Sequence, residues 1–146
     1  MAAYRIRALQ AEDQAEWRRL WQGYLRFYRQ RLPDPVTAVT FERLVHPQQE
    51  PHGLVAEGEA GLVGLAHYLF HRSTWSATAV CYLEDLFVDP GIRGHGAGRA
   101  LIQAVYAAAD AHGASAVYWM TQEFNAEARA LYDTLAHRTS FIRYER

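Results

Sequence analysis

The sequence predicts an α/β fold, a mixed β-sheet flanked by helices in one domain spanning residues 1–146. Three observations carry this. Strand-like alternation and helical periodicity succeed one another along the chain in the order βααβββαβαβ. Half of the 146 residues are hydrophobic and the net charge is −1, which describes a globular core. A strand over 82–88 stops at Asp89-Pro90-Gly91 and passes through a glycine-rich turn into a helix.

The elements follow in order. Residues 4–9 alternate and read as a first strand. Glu12, Asp13 and Glu16 favour a helix start, and Trp17, Leu20, Trp21, Tyr24, Leu25 and Tyr28 then recur at helical spacing. That aromatic stripe is first of all core packing. Two prolines at 33 and 35 make a turn, and 36–45 reads as a second helix. Residues 53–57 and 62–71 are strands joined by a turn at 58–61. His67 and His71 fall on one face of the second of these; with no third ligand nearby they read as ordinary sheet-face histidines, and no metal site is expected. A polar turn over 72–77 carries Trp75. After the strand at 82–88, a helix over 96–112 ends at Gly113. A strand over 116–121, a helix from Asn125 to about Leu135 and a last strand over 141–144 complete the chain.

The chemistry concentrates at Arg93-Gly94-His95-Gly96-Ala97-Gly98-Arg99. A helix start leaves backbone N–H groups unpaired and carries partial positive charge. Glycine lets a ligand approach that backbone, and Arg93 and Arg99 add fixed charge, so the turn reads as a pyrophosphate cradle. A Walker loop needs Gly-Lys-Ser/Thr, which is missing here. A dinucleotide fingerprint needs G-x-G-x-x-G near the start of a βαβ unit, whereas this chain has G-x-G-x-G late. The pattern Arg/Gln-x-x-Gly-x-Gly/Ala of coenzyme A loops fits at every fixed position.

With YLEDLFV before this turn and VYWMTQEFNAEARALYD after it, the sequence resembles the GNAT N-acetyltransferase superfamily. The first run is similar to spermidine/spermine acetyltransferases, the second to small yeast-type histone and polyamine acetyltransferases. The resemblance implies a sheet whose strands ending at Val88 and Thr121 splay apart to hold acetyl-CoA. It implies that the backbone of Leu86, Phe87 and Val88 pairs with the pantetheine arm. Asn125 would hold that arm, and the Tyr132 hydroxyl would donate to the sulfur. Asn125 and Tyr132 lie seven residues apart on one helix face, in the match N-x-x-A-x-x-L-Y. Glu84, in YLED, is the candidate proton acceptor, with Asp85 expected on the opposite face. Tyr24, Phe27 and Tyr28 are candidates for acceptor contact at the end of the first helix. Asp85 and Glu123, with Glu84, lean towards a cationic acceptor.

The expected activity is transfer of an acetyl group from acetyl-CoA to a primary amine of a small cationic metabolite, a polyamine or an amino acid. The alternatives are a lysine on a protein or histone, or a non-catalytic acyl-CoA-binding module. After Tyr132 the chain departs from the family pattern, with one final strand in place of a longer hairpin. The acceptor wall built there in larger members is then either short or supplied by a second subunit, and a homodimer is the expectation.

Composition narrows the classes. The net charge gives no case for nucleic acid binding. All fifteen basic residues are arginine, so the protein has no lysine of its own to acetylate. One cysteine, Cys81, excludes an internal disulfide and reads as a small packed hydrophobe. No signal peptide or membrane span is read, and the cytoplasm is the expected location.

Overall fold

A hairpin turning at Gly61, where φ is +129°, starts the sheet that the rest of the chain wraps. The protein is described by a computed structural model covering residues 4–146. Its five strands are β1 (Arg5–Ala8), β2 (His52–Gly58), β3 (Gly61–His71), β4 (Val80–Val88) and β5 (Val117–Tyr118), hydrogen-bonded in that order. The first four are antiparallel, and β5 joins β4 in parallel. The helices are α1 (Gln14–Phe27), α2 (Asp34–Val45), α3 (Ala97–His112) and α4 (Ala126–Leu135).

The helical stripes face the sheet from both sides. Trp17, Leu20 and Leu25 of α1 and Phe41 and Leu44 of α2 pack on Val55, Leu65 and Phe87. Leu101, Ile102 and Val105 of α3 pack on the other face against Ala56, Ala66, Cys81 and Leu83. Those three α3 side chains have no exposed surface. Each such burial contributes about 1.5–3 kcal/mol. Arg7 ties β1 to the turn before α1 by a bidentate bond to Asp13, at 2.8 and 2.9 Å. The hydrogen bond from Arg7 holds the Asp13 carboxyl below its usual range.

Three features differ from the sequence reading. The strand expected over 116–121 is only two residues long, and β5 meets β4 only at Cys81↔Val117 and Tyr82↔Tyr118. Beyond that point the two chains part, which strips Trp119, Met120 and Thr121 of a ladder partner. The strand expected over 141–144 does not form. Phe141, Ile142 and Tyr144 are exposed, because two-residue β5 offers too little edge to pair with. Finally, β4 carries a bulge. Leu83 pairs with Tyr68 and Asp85 with His67, so Glu84 is an extra residue with no partner. Leu83 and Leu86, three apart, therefore pack on the same face. The simple alternation that set Asp85 opposite Glu84 fails here, because Glu84 and Asp85 both lie between Leu83 and Leu86, which share the α3 face. Of the two histidines, His67 is buried against Trp17 of α1, whereas His71, at the end of β3, is exposed.

Candidate active site

The splay between β4 and β5 opens a cavity of about 420 Å³, bounded by the end of β4, the glycine turn, α4 and the end of α1. It exists because of what each segment does locally. Asp89 accepts a bond from the Gly91 N–H at 3.2 Å, which with Pro90 ends the strand in a short 3₁₀ turn. Gly94 and Gly96 then take φ of +88° and +90°, a region that other residues adopt at a cost. The first α3 bond runs from Ala100 N–H to the Gly96 carbonyl at 3.0 Å, so the amides before Ala100 have no intrahelical partner.

The glycines serve different ends. A Cβ on Gly94 or Gly96 would meet nothing within 4 Å, so open space lies above the main chain there. A Cβ on Gly98 would come within 3.2 Å of Leu131 Cδ2, so Gly98 lets α4 pack closely over α3. Two more contacts fix α4. Arg99 donates to Thr134 Oγ1 at 3.0 Å, and Tyr106 donates to the Leu135 carbonyl at 2.9 Å.

The cavity wall takes Leu86, Phe87 and Val88 from β4, Gly94, Gly96, Ala97, Gly98 and Arg99 from the turn and α3, and Asn125 and Tyr132 from the α4 end. Beyond Tyr82 no β5 residue stands in register with β4, so the edge of β4 at Leu86 and Val88, the side turned away from β3, faces the gap. Arg93 also lines the cavity, but its Nε donates to the Val88 carbonyl at 3.1 Å, and its guanidinium lies over Phe27 and Phe87. His95 is exposed and outside the wall.

Asn125 takes the N-cap position of α4, yet its amide donates back to Thr121 Oγ1 at 3.3 Å and does not cap the helix. Tyr132 is half-buried and stands edge-on to Trp119, with ring centroids 5.4 Å apart. Burial pushes its phenol up to about 12, so the hydroxyl keeps its proton at neutral pH.

The other face of β4 gathers the remaining candidates. Tyr24 and Tyr28 lie tilted by 57° with ring centroids 4.9 Å apart, and Tyr24 donates to Asp85 Oδ1 at 2.6 Å. Tyr28 also reaches the cavity wall, so the two faces meet at the end of α1. Burial, and then the charge of Asp85, raise Tyr24 well above the usual phenol range and raise Tyr28 as well. Glu84 is raised above the usual carboxylate range, by loss of water first and by the Asp85 charge second. Glu123 lies apart. It is exposed, borders no part of the cavity wall and pairs with Arg138 at 3.4 Å.

Several residues of the site escaped the sequence reading. Glu127, Ala128 and Leu131 complete the α4 wall; their helical spacing from Asn125 was signal enough. His67 and Trp17, which back Asp85, left no local signal, since each contact bridges distant segments. Among the described residues no three His, Cys, Asp or Glu side chains gather as a metal site, and no helix is long and apolar enough to cross a membrane.

The coenzyme A group implied by the loop pattern fits this geometry: open space above left-handed glycines, unpaired amides beside them, and an unpaired strand edge leading inwards. Comparison with known proteins agrees. The model of the "Acetyltransferase (GNAT) family" matches residues 15–136. The D-amino-acid N-acetyltransferase HPA3 of Saccharomyces cerevisiae is 37% identical over 143 residues, covering 97% of this chain and 89% of its own. The thialysine N-epsilon-acetyltransferase of Sus scrofa is 38% identical over 95 residues, 60% of this chain and 55% of its own. An aminoglycoside N-acetyltransferase, AAC(6')-Iy, solved with a CoA bisubstrate analogue, superposes with a TM-score of 0.84 at 20% identity, covering 99% and 97% of the two chains. A ribosomal-protein-alanine N-acetyltransferase of Brucella melitensis superposes at 0.80 and 21% identity, over 98% and 97%. These last two share the fold, while the family model and the yeast relative extend the likeness to sequence over most of the chain, and on that ground the protein belongs to the GNAT acetyltransferase family.

Proposed function

We propose that the protein transfers the acetyl group of acetyl-CoA to the primary amine of a small cationic metabolite, an amino acid or a polyamine. One observation carries this reading. The glycine turn, the unpaired end of β4 and the Tyr132 hydroxyl meet in one cavity, and two carboxylates stand on the reverse of the same strand. A binding module has no need of the last two.

The residues divide the work. The amides from Gly94 to Arg99 hold the pyrophosphate, with Arg99 beside them. The unpaired edge of β4 at Leu86 and Val88 pairs with the pantetheine arm, and Asn125 closes over it. When bound, acetyl-CoA supplies a thioester carbonyl already active towards an amine. Glu84 accepts a proton from the incoming ammonium, directly or through water, and its raised pKa suits that task. A β4 amide near Phe87 or Val88 faces the developing negative oxygen. Tyr132, protonated at neutral pH, gives its proton to the departing sulfur.

The acceptor class rests on charge. Glu84 and Asp85 favour an ammonium, and the relatives' names specify a D-amino acid and thialysine. A homodimer fits the exposed apolar Phe141, Ile142 and Tyr144 of the unpaired tail. Buried, free Cys81 suits a reducing compartment such as the cytoplasm.

The test is release of thiol from acetyl-CoA across polyamines, amino acids of both hands, aminoglycosides and a lysine-rich peptide. Turnover is expected with amino acids or polyamines. Turnover with the peptide alone would overturn the acceptor class. Tight acetyl-CoA binding without turnover of any amine would overturn catalysis.

A further inference from the structure

Behind the acceptor face runs a chain of buried polar groups that the chemistry above does not use. Trp17 of α1 donates its indole N–H to His67 Nε2 at 3.0 Å. His67 of β3 meets Asp85 Oδ2 through Nδ1 at 2.9 Å. Tyr24 of α1 donates to the other Asp85 oxygen. Trp17 and His67 are each 1% exposed.

The direction of each bond can be assigned. An indole nitrogen only donates, so Nε2 of His67 must accept and carries no proton. The ring proton is therefore on Nδ1, His67 is neutral, and it donates to Asp85. The carboxylate thus has a donor on each oxygen. Among the described residues no arginine lies within ion-pair distance of it. A nearly buried negative charge, held by neutral donors alone, is left to attract a cation from the open side. Tyr24 has given its only proton to Asp85, so its oxygen offers lone pairs to anything arriving there. Its ring is fixed by stacking on Trp21, at 4.9 Å and 11°, which keeps the hydroxyl in place.

We infer that Trp17 and His67 are positioning residues of the acceptor site. They hold Asp85 so that Tyr24 turns its oxygen, not its proton, towards the acceptor. Tyr24 and Glu84 then form a receptor for N–H donors, with the Asp85 charge behind it. Such a site takes an ammonium and rejects a carboxylate at the same place. This rests on the reading of the protein as an amine acetyltransferase.

The experiment compares wild type, Tyr24→Phe, His67→Leu and His67→Gln. The amine is one turned over by the wild type, or ethylenediamine if none is. Affinity for the amine is read by calorimetry and, where turnover occurs, by KM, so the test holds with or without acetyl transfer. Tyr24→Phe and His67→Leu are each expected to weaken the amine about tenfold, as for one hydrogen bond to a charged group, with acetyl-CoA affinity unchanged. His67→Gln should restore most of the loss, since its amide can donate to Asp85 and accept from Trp17. The double variant should be no worse than the poorer single, because both act through one bond network. A purely structural His67 would instead lower melting temperature and both affinities together, without rescue by glutamine. Should His67→Leu not fold, Tyr24→Phe and the ¹⁵N spectrum of wild-type His67 remain. That spectrum is expected to place the proton on Nδ1 at neutral pH. A proton on Nε2, or unchanged amine affinity in folded Tyr24→Phe, would overturn the inference and leave the acetyltransferase reading standing. Loss of thiol release from the wild type would do the reverse.

Discussion

The two faces of β4 are built in opposite ways. On the cavity side the site is mostly backbone: amides of the glycine turn and an unpaired strand edge, set by residues adjacent in sequence. On the proposed acceptor side it is side chains, Trp17, Tyr24, His67 and Asp85, drawn from three elements and joined by contacts that bridge up to 61 positions. Backbone recognition depends on main-chain groups and so on few side chains. Side-chain recognition depends on each residue and is where an acceptor can be changed. On the proposed assignment, one strand separates the cofactor half of the reaction from the acceptor half.

The largest expected effect breaks the cavity side. Gly96→Val should abolish measurable acetyl-CoA binding in calorimetry. The new side chain has room in the protein itself, so the variant should fold, but it fills the space above the amides and opposes φ of +90°. Normal binding would remove the backbone cradle. Next, Tyr132→Phe should lower kcat about 100-fold or more with acetyl-CoA affinity unchanged, the size seen for a lost general acid. An unchanged kcat would dismiss Tyr132 as the acid.

The third crosses to the acceptor side. Glu84→Gln should lower kcat by about 100-fold and remove the acidic limb of the rate profile. In the wild type that limb should lie above the usual glutamate range, because activity needs the carboxylate and is lost as pH falls through its raised pKa. The same shift has a second sign. The folded protein binds the Glu84 proton more tightly than the unfolded chain does. Stability therefore falls as pH rises from the unfolded value through the folded one. Glu84→Gln should accordingly melt slightly higher than wild type at neutral pH, so activity and stability move in opposite directions. A lower melting temperature there would deny that the protein strains this carboxylate. The smallest effect marks the edge of the acceptor side. Glu123→Gln should leave the acceptor KM within about twofold, since an exposed pair such as Glu123–Arg138 contributes about 0–1 kcal/mol. A clear rise in KM would extend the acceptor face to the loop before α4.

The same contrast decides what was legible in the sequence. Strand, turn and helix around Arg93 to Arg99 are contiguous, and each residue type there answers a local demand of φ, charge or close approach. The face shared by Asn125 and Tyr132 follows from helical period alone. The acceptor network does not, because Trp17 to His67 and Tyr24 to Asp85 are contacts that only the folded sheet creates. The bulge at Glu84 was equally hidden. Nothing in YLED marks an extra residue, yet it overturns strict alternation and sets Glu84 and Asp85 side by side between Leu83 and Leu86. The last strand failed for a third reason: residues 141–144 have strand propensity, but a strand also needs an edge to join.

The aromatic side chains fall into places that make the protein its own optical reporter. Its four tryptophans divide cleanly. Trp17 and Trp21 are stacked and buried beside the acceptor network, and Trp119 stands edge-on to Tyr132. Trp75 is 86% exposed. With Trp75 replaced by Phe to remove the water-exposed emission, quenching at Trp119 follows filling of the cavity and a change in the Trp17–Trp21 pair follows arrival of the amine. The order in which the two half-sites fill can then be timed by stopped-flow fluorescence, with no label attached.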